Sequence, residues 1–448
     1  MRTPEISLGR PGLAWLAAGG LVLGASTANA VPSFAVQTGR PCEACHVGGL
    51  GPQLTEFGRE FKLNGYTARA VSFNVPLAGF IQNSYTATSK AQSSPPAPHF
   101  ADNDNFSLDQ ISLFVAGGVG DHFGAFVQTT YDGIARAFTW DQLDVRAVTK
   151  ATIAGVKTVL GLTINNNPTL TDPFNTLPAW GFPYTSSALA PSPAASPLIG
   201  NLAQTTLGIT GYAWINDRLY VEFGGYRSPS AGFLIRAGAD PTSPGNIDGV
   251  APYGRVAYQW NLGDKNAEVG AFLLDAHIFP GHDQTTGLSD HYNDVGLDAS
   301  YQYTAPNHDV ITFNGRYTHE SQHLNASTAL GLSNQPQNKL QDLRFDASYY
   351  WRDKIGFSTQ VFDTWGSPDV LLFQGDRRPR PDTSGILFQI DGTPFGNGKS
   401  PLGPRFNFRV GVQYTAYFQF DGATTNFDTM GRNASDNNTF RVFTWVYF

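Results

Sequence analysis

The sequence predicts an all-β protein, a transmembrane antiparallel β-barrel of about 16 strands with a small N-terminal plug. Three observations lead there. Segments after Val75 alternate apolar and polar residues with period two. Many run to ten residues or more, close to the ~9–11 a tilted strand needs to cross a bilayer. Short turns such as Asn216-Asp217 and Gly263-Asp264-Lys265 also alternate with long polar connections, as on the two unequal rims of an outer-membrane barrel.

The clearest strand runs from Arg405 to Phe420. Phe406, Phe408, Val410, Val412, Tyr414, Ala416, Phe418 and Phe420 fall on one face, and Arg405, Asn407, Arg409, Gln413, Thr415 and Gln419 on the other. Leu343, Phe345, Ala347, Tyr349 and Trp351 oppose Asp342, Arg344, Asp346 and Ser348 in the same way. So do Ile311, Phe313 and Tyr317 against Thr312, Asn314 and Arg316, and Leu143, Val145 and Ala147 against Asp144 and Arg146. A soluble β-sandwich alternates as well; segment length and the unequal connections favour the barrel. So does the aromatic C-terminal strand Phe443-Thr444-Trp445-Val446-Tyr447-Phe448, which resembles an outer-membrane assembly signal. With 48 Gly, 32 Phe, 18 Tyr and 8 Trp, the composition suits strands and turns. No stretch beyond residue 30 has the roughly 18 consecutive apolar residues of a spanning helix.

Strands are expected to begin near Val75, Asn105, His122, Phe138, Ala151, Ala203, Arg218, Val250, Asn266, Asp290, His308, Lys339, Ile355, Ser384, Arg405 and Asn438. Lys90–Asn103, Asn165–Asn201, Ser228–Asp248, Pro280–Ser289, Ser367–Thr383 and Asp421–Asn438 then face outward. The second of these is rich in Pro, Phe and Trp. It lies where porins fold a loop into the lumen, although a mobile surface loop has the same composition.

The first thirty residues read as a cleavable export signal. Arg2 and Arg10 form a basic start, Leu13 to Leu23 an apolar core, and Ala28-Asn29-Ala30 a small-residue cleavage site. Residues 31–72 form a second unit and 73–448 the barrel. The formal net charge of −7 gives no electrostatic footprint for nucleic acid. The second unit contains Cys42-Glu43-Ala44-Cys45-His46, the attachment pattern of c-type haem. Each thiol adds to a vinyl group, and the histidine reaches the iron as proximal ligand. Cys42 and Cys45 are the only cysteines, so a four-cysteine zinc site is excluded. A chance match or a solitary C-x-x-C disulfide is the plainer alternative. Val31 to Arg40 reads as extended, and Leu54 to Leu63 as a short amphipathic helix carrying Leu54, Phe57 and Phe61, stopped by Asn64-Gly65. About forty residues cannot bury a haem alone, so the barrel must supply a wall.

A sixth iron ligand is open among Met430, His99, His122, His277, His282, His291, His308, His319 and His323, or none. Arg316, Arg344 and Arg409 should point into the lumen, where guanidinium forks match haem propionates or pair with acids such as Asp144, Asp342 or Asp346. The acids Asp102 and Asp104, Asp283 and Asp290, and Asp421 and Asp428 are solvated loop tips or cation attractors. No nucleophile triad, phosphate loop or HExxH motif is present.

The leader Pro32-Ser33-Phe34-Ala35-Val36-Gln37-Thr38-Gly39, the C-x-x-C-H, and Leu54-Thr55-Glu56-Phe57-Gly58-Arg59-Glu60-Phe61-Lys62-Leu63-Asn64-Gly65-Tyr66 together resemble the fused monohaem cytochrome–porins, outer-membrane cytochromes of iron-oxidising bacteria. The resemblance implies one covalently attached haem c on Cys42 and Cys45, with His46 on the iron, inside a barrel of about sixteen strands. It also implies electron flow from extracellular Fe(II) to a periplasmic cytochrome or other soluble carrier. Two further readings use the same parts: a diffusion porin with a structural or regulatory haem, and electron export to an extracellular acceptor. A vacant sixth position would instead suit a haem enzyme or gas sensor.

Overall fold

The structure, a computed structural model, describes residues 32–71, 75–403 and 405–448. The expected export signal and the boundary at residues 72–73 lie outside the described residues. Strands β1 (Leu77–Thr88), β2 (Asn105–Val119), β3 (Phe123–Asp132), β4 (Ala137–Ile153), β5 (Val156–Asn165), β6 (Leu207–Ile215) and β7 (Leu219–Arg227) form the first half of one sheet. After the two-residue β8 (Asn246–Ile247) come β9 (Ala251–Asn261), β10 (Lys265–Phe279), β11 (Asp290–Thr304), β12 (Val310–His323), β13 (Gln337–Trp351), β14 (Ile355–Gly366), β15 (Thr383–Gly392), β16 (Asn407–Gln419) and β17 (Thr439–Tyr447). Every pairing is antiparallel and, β8 apart, joins strands adjacent in the chain. β17 returns to β1, with Phe80 opposite Tyr447 and Thr88 opposite Thr439, so the sheet closes. Setting aside β8, which only extends the rim beside β10, the barrel has sixteen staves.

Polarity is inverted relative to a soluble protein. Leu113, Ile209, Phe223, Leu297, Phe345, Phe388 and Ile390 are exposed on the outside, while Gln82, Gln128, Asp144, Arg146, Glu222, Arg255, Arg409 and Arg441 are buried inside. Aromatic pairs ring both ends of the apolar band: Tyr85 with Phe106 and Tyr131 with Phe138 at one, Tyr258 with Trp260 at the other. A closed wall with every backbone group paired, apolar outside and girdled by aromatics, is the solution for crossing the bacterial outer membrane. The short-turn rim then faces the periplasm.

Most expected strand starts fall within a few residues of the observed ones. The largest shift is at β5, expected near Ala151 and starting at Val156. β4 runs on to Ile153 because Ala154 (φ 50°) and Gly155 (φ 80°) form a two-residue turn with both central residues left-handed, the geometry that matches strand twist. A second difference is on the short-turn rim, where residues 393–406 between β15 and β16 form a long connection. It is long because it covers the N-terminal segment: Glu43 N donates to Gly396 O (3.1 Å), and Gly49 packs backbone to backbone on Gly396.

Residues 32–71 fill the lumen from that rim. Pro32–Thr38 is a helix, α1, where an extended segment was expected. Tertiary contacts decide it. Ser33 Oγ donates to Ala116 O of β2 (2.8 Å), Gln37 Nε2 donates to Tyr66 O (2.7 Å) and Ala68 O (2.9 Å), and Gly118 N donates to Gln37 Oε1 (2.9 Å). Phe34 then packs between Phe61 and Tyr66, with ring centroids at 4.9 and 5.2 Å. The second helix, α2 (Glu56–Leu63), agrees with expectation. Thr55 caps its start, accepting from Gly58 N (3.2 Å), and Asn64 followed by left-handed Gly65 (φ 66°) ends it.

The long connection 166–206 folds inward from the opposite side. Leu170, Phe174, Leu177, Trp180 and Phe182 are buried, and Arg255 on the β9 wall pairs with Asp172 of the loop at 3.1 Å. Of the two readings of this Pro-rich stretch, the lumenal one describes the structure.

Candidate functional site: a lumenal cavity at the C-x-x-C-H

Cys42 and His46 are bound by a tight backbone knot. The Cys42 carbonyl accepts from Cys45 N (3.1 Å) and His46 N (2.9 Å), and the Cys45 carbonyl accepts from Thr55 N (3.0 Å), tying the motif to the cap of α2. Gly58 lies directly on the Cys45 carbonyl, where a Cβ would overlap the oxygen. Alanine in a helix interior ordinarily gains ~1 kcal/mol over glycine. Here Gly58→Ala is expected to destabilise instead, by the ~1–3 kcal/mol of overpacking, lowering the urea midpoint of the plug.

Cys45 and His46 open onto a small cavity of about 70 Å³, below the ~300–1,000 Å³ of ready-made cofactor pockets. Its walls come from three places: Phe34, Leu54, Phe61 and Tyr66 of the plug, Phe126 of β3, and Asn175 and Trp180 of the inward loop. The pocket is mostly apolar. Burial lowers His46 to about 4, so its imidazole is neutral, and its Nδ1 is buried without a hydrogen-bond partner. Burial raises Cys45 to about 12 and raises Cys42 as well, keeping both as thiols while unmodified. Cys42 does not line the cavity; it lies at the wall beside Asn407. The two cysteines are not joined in a disulfide. A neutral buried imidazole with an orphaned nitrogen, one thiol on an apolar pocket and a second one turn earlier match c-type haem attachment in their donor chemistry.

The other candidates are placed elsewhere. Met430 is 84% exposed on the outer loop between β16 and β17, and none of His99, His122, His277, His282, His291, His308, His319 and His323 lines the cavity. The lumenal arginines are lumenal as expected, but engaged with acids. Asp342 holds Arg344 (2.7 Å) and Arg316 (3.3 Å), and Asp391 holds Arg409 (3.2 Å). Asp144 pairs with Arg146 (2.8 Å), while Asp346 accepts from Asn314 (2.7 Å). The cation that does reach the cavity is Lys62, which the sequence reading missed. Its Nζ donates to Leu170 O (2.8 Å) and Asp172 O (2.6 Å) and lies 4.4 Å from the Trp180 ring centre. Burial lowers it to about 7. Only its place one residue after Phe61, on the inner face of α2, marked it in the sequence.

Asp353, in the turn after β13, accepts from Gly48 N and fastens the motif to the periplasmic rim. Burial raises its carboxyl from 3.8 to about 7. The folded state therefore binds the extra proton between those values, and plug docking is strongest in acid and weakens as pH rises from about 4 to about 7. Protease sensitivity of residues 32–71 should increase over that window, and Asp353→Asn should flatten the dependence.

Fold and site define a class: a sixteen-strand outer-membrane barrel whose lumen holds an N-terminal segment and an inward loop. No protein-family model and no curated protein matches the chain. Solved structures with a similar barrel include an anion-selective porin from Comamonas acidovorans (12% identity, TM-score 0.46, covering 83% of this chain and 98% of that one). The outer membrane channel DcaP of Acinetobacter baumannii is another (10%, 0.44, 86% and 99%), as is OmpT, an outer membrane protein of Vibrio cholerae (10%, 0.43, 83% and 96%). These likenesses are to the barrel alone.

Proposed function

We propose that the chain is an outer-membrane electron-transfer protein. It carries one haem c on Cys42 and Cys45 with His46 as iron ligand, and passes electrons from extracellular Fe(II) to a periplasmic carrier. The observation that carries the reading is the meeting of Cys45 and His46 on one apolar pocket walled by plug, barrel and inward loop. Bound there, the haem supplies a one-electron site between two aqueous compartments. The chain's residues do the rest. Trp180, Phe126 and Tyr66 exclude water, His46 stays neutral and available, and Lys62, held by Leu170 O and Asp172 O, places an amine on the pocket wall. Placement near the periplasmic rim suits delivery to a soluble partner.

The test is direct. The exported protein should be coloured, its haem should survive denaturing extraction, and its ferric spectrum should convert to ferrous on mixing with Fe(II). Colourless protein, or a ferric spectrum unmoved by Fe(II) at the working pH, removes the proposal. Reverse flow, outward to an extracellular acceptor, uses the same residues, and a redox titration separates the two directions.

A second reading is a diffusion porin in which the haem is structural or regulatory. A separate outer vestibule of about 460 Å³ favours it, lined by Arg344, Arg441, Asp109 and Asp132 between the inward loop and the wall. Steady conductance in planar bilayers without fast haem reduction would select this reading.

A further inference from the structure

The outer wall of the barrel bears a row of imidazoles that neither reading uses. His277 on β10 lies opposite His291 on β11, and His291 lies opposite His323 on β12. The first two rings stack at 4.4 Å and 4°, the second pair at 5.8 Å and 20°. Asp275, two residues before His277 and so on the same face, accepts from His291 Nε2 at 2.8 Å and from Asn293 Nδ2 at 3.1 Å. Ligand atoms of Asp275, His277 and His291 all lie within 4.8 Å of one another. Leu273 and Val295, exposed on the same outward rows, place the cluster at the upper margin of the apolar band, while Ala276 and Ile278 between these residues face the lumen.

We propose that Asp275, His277 and His291 form a divalent transition-metal site on the external rim, with zinc(II) the best-matched ion. Two imidazoles and one carboxylate are a donor set for a first-row ion rather than for calcium or magnesium, which prefer oxygen ligands alone. Ligands at ~2.0–2.2 Å from zinc sit about 3.5 Å from one another in a tetrahedron. Small side-chain rotations at a rigid two-strand ladder therefore bring the three into place. The metal replaces the proton now shared by His291 and Asp275, and Asn293 remains as a donor to the carboxylate. A fourth position is left for water or for His323 beside it. Ser289 Oγ, on the loop that follows β10 and 3.4 Å from His277 Nδ1, orients that ring.

The experiment is zinc titration of the full-length protein in detergent after chelator washing, read by calorimetry and by competition with a chromophoric chelator. One high-affinity equivalent is expected. The His277→Ala/His291→Ala double variant should lose it, and Asp275→Asn should weaken it by more than the ~10–100-fold cost of removing an outer-shell partner. His99→Ala, in a different loop, should leave it unchanged. All four substituted side chains are on the rim or in loops, and far-UV circular dichroism checks that each barrel is closed. No zinc uptake by the wild type, or an unaltered equivalent in the double variant, overturns the assignment.

Discussion

Arg255→Met is expected to detach the inward loop and raise the ion conductance of the barrel in planar bilayers. Arg255 is completely buried and holds three carboxylates at once. It meets Asp298 bidentately (2.8 Å to each oxygen), Asp172 at 3.1 Å and Glu268 at 3.5 Å. Asp172 in turn accepts from Phe174 N, Thr176 N and Leu177 N, each at 3.0 Å, so it organises the loop's sharpest bend. Methionine keeps most of the volume and removes the charge, leaving three buried acids facing one another. Breaking such a network costs ~3–5 kcal/mol, more than the loop's peripheral contacts can offset. The conductance increase should be accompanied by a lower Tm, and Arg255→Met/Asp298→Asn should recover part of both. Unchanged conductance and Tm would mean that the loop is seated by apolar packing alone.

Arg409→Met should act on the other half of the lumen. Its guanidinium pairs with Asp391 (3.2 Å), donates to Gly48 O (3.2 Å) and Thr393 Oγ1 (3.0 Å), and sits 5.4 Å from the Trp445 ring centre. It thus joins wall, periplasmic connection and haem-motif loop. The loss leaves Asp391 buried without a counter-charge and frees the Gly48 carbonyl, again ~3–5 kcal/mol. The plug should become protease-sensitive while the barrel band stays intact on gels. If residues 32–71 are cleaved no faster than in the wild type, Arg409 stabilises only the wall.

The barrel was legible because its physics repeats. Each spanning strand must present apolar side chains to lipid every second residue, so Val410, Val412 and Tyr414 against Arg409 and Gln413 define the faces with no tertiary information. The spacing of Cys42, Cys45 and His46 was visible as a motif, and the structure sets Cys45 and His46 on one pocket. What could not be read is whatever depends on contacts across the lumen. α1 forms because Ser33 and Gln37 find β2 and the chain after α2, and nothing in its own residues announces this. Arg316, Arg344 and Arg409 were placed inside correctly, but which acid each would meet depends on register between strands. Lys62 was hidden for the same reason: a lysine on a short helix usually faces water, and its partners Leu170 and Asp172 lie over a hundred residues away.

The seam where β17 meets β1 bears on how the molecule is assembled. Trp445 and Tyr447 of that final strand are fully buried, and Trp445 packs on the same Arg409 that grips the motif loop. The C-terminal strand therefore takes part in two closures at once, completing the sheet through Tyr447 opposite Phe80 and bearing on the plug through Arg409. A fault in that one strand is therefore felt both by the cylinder and by the segment it encloses.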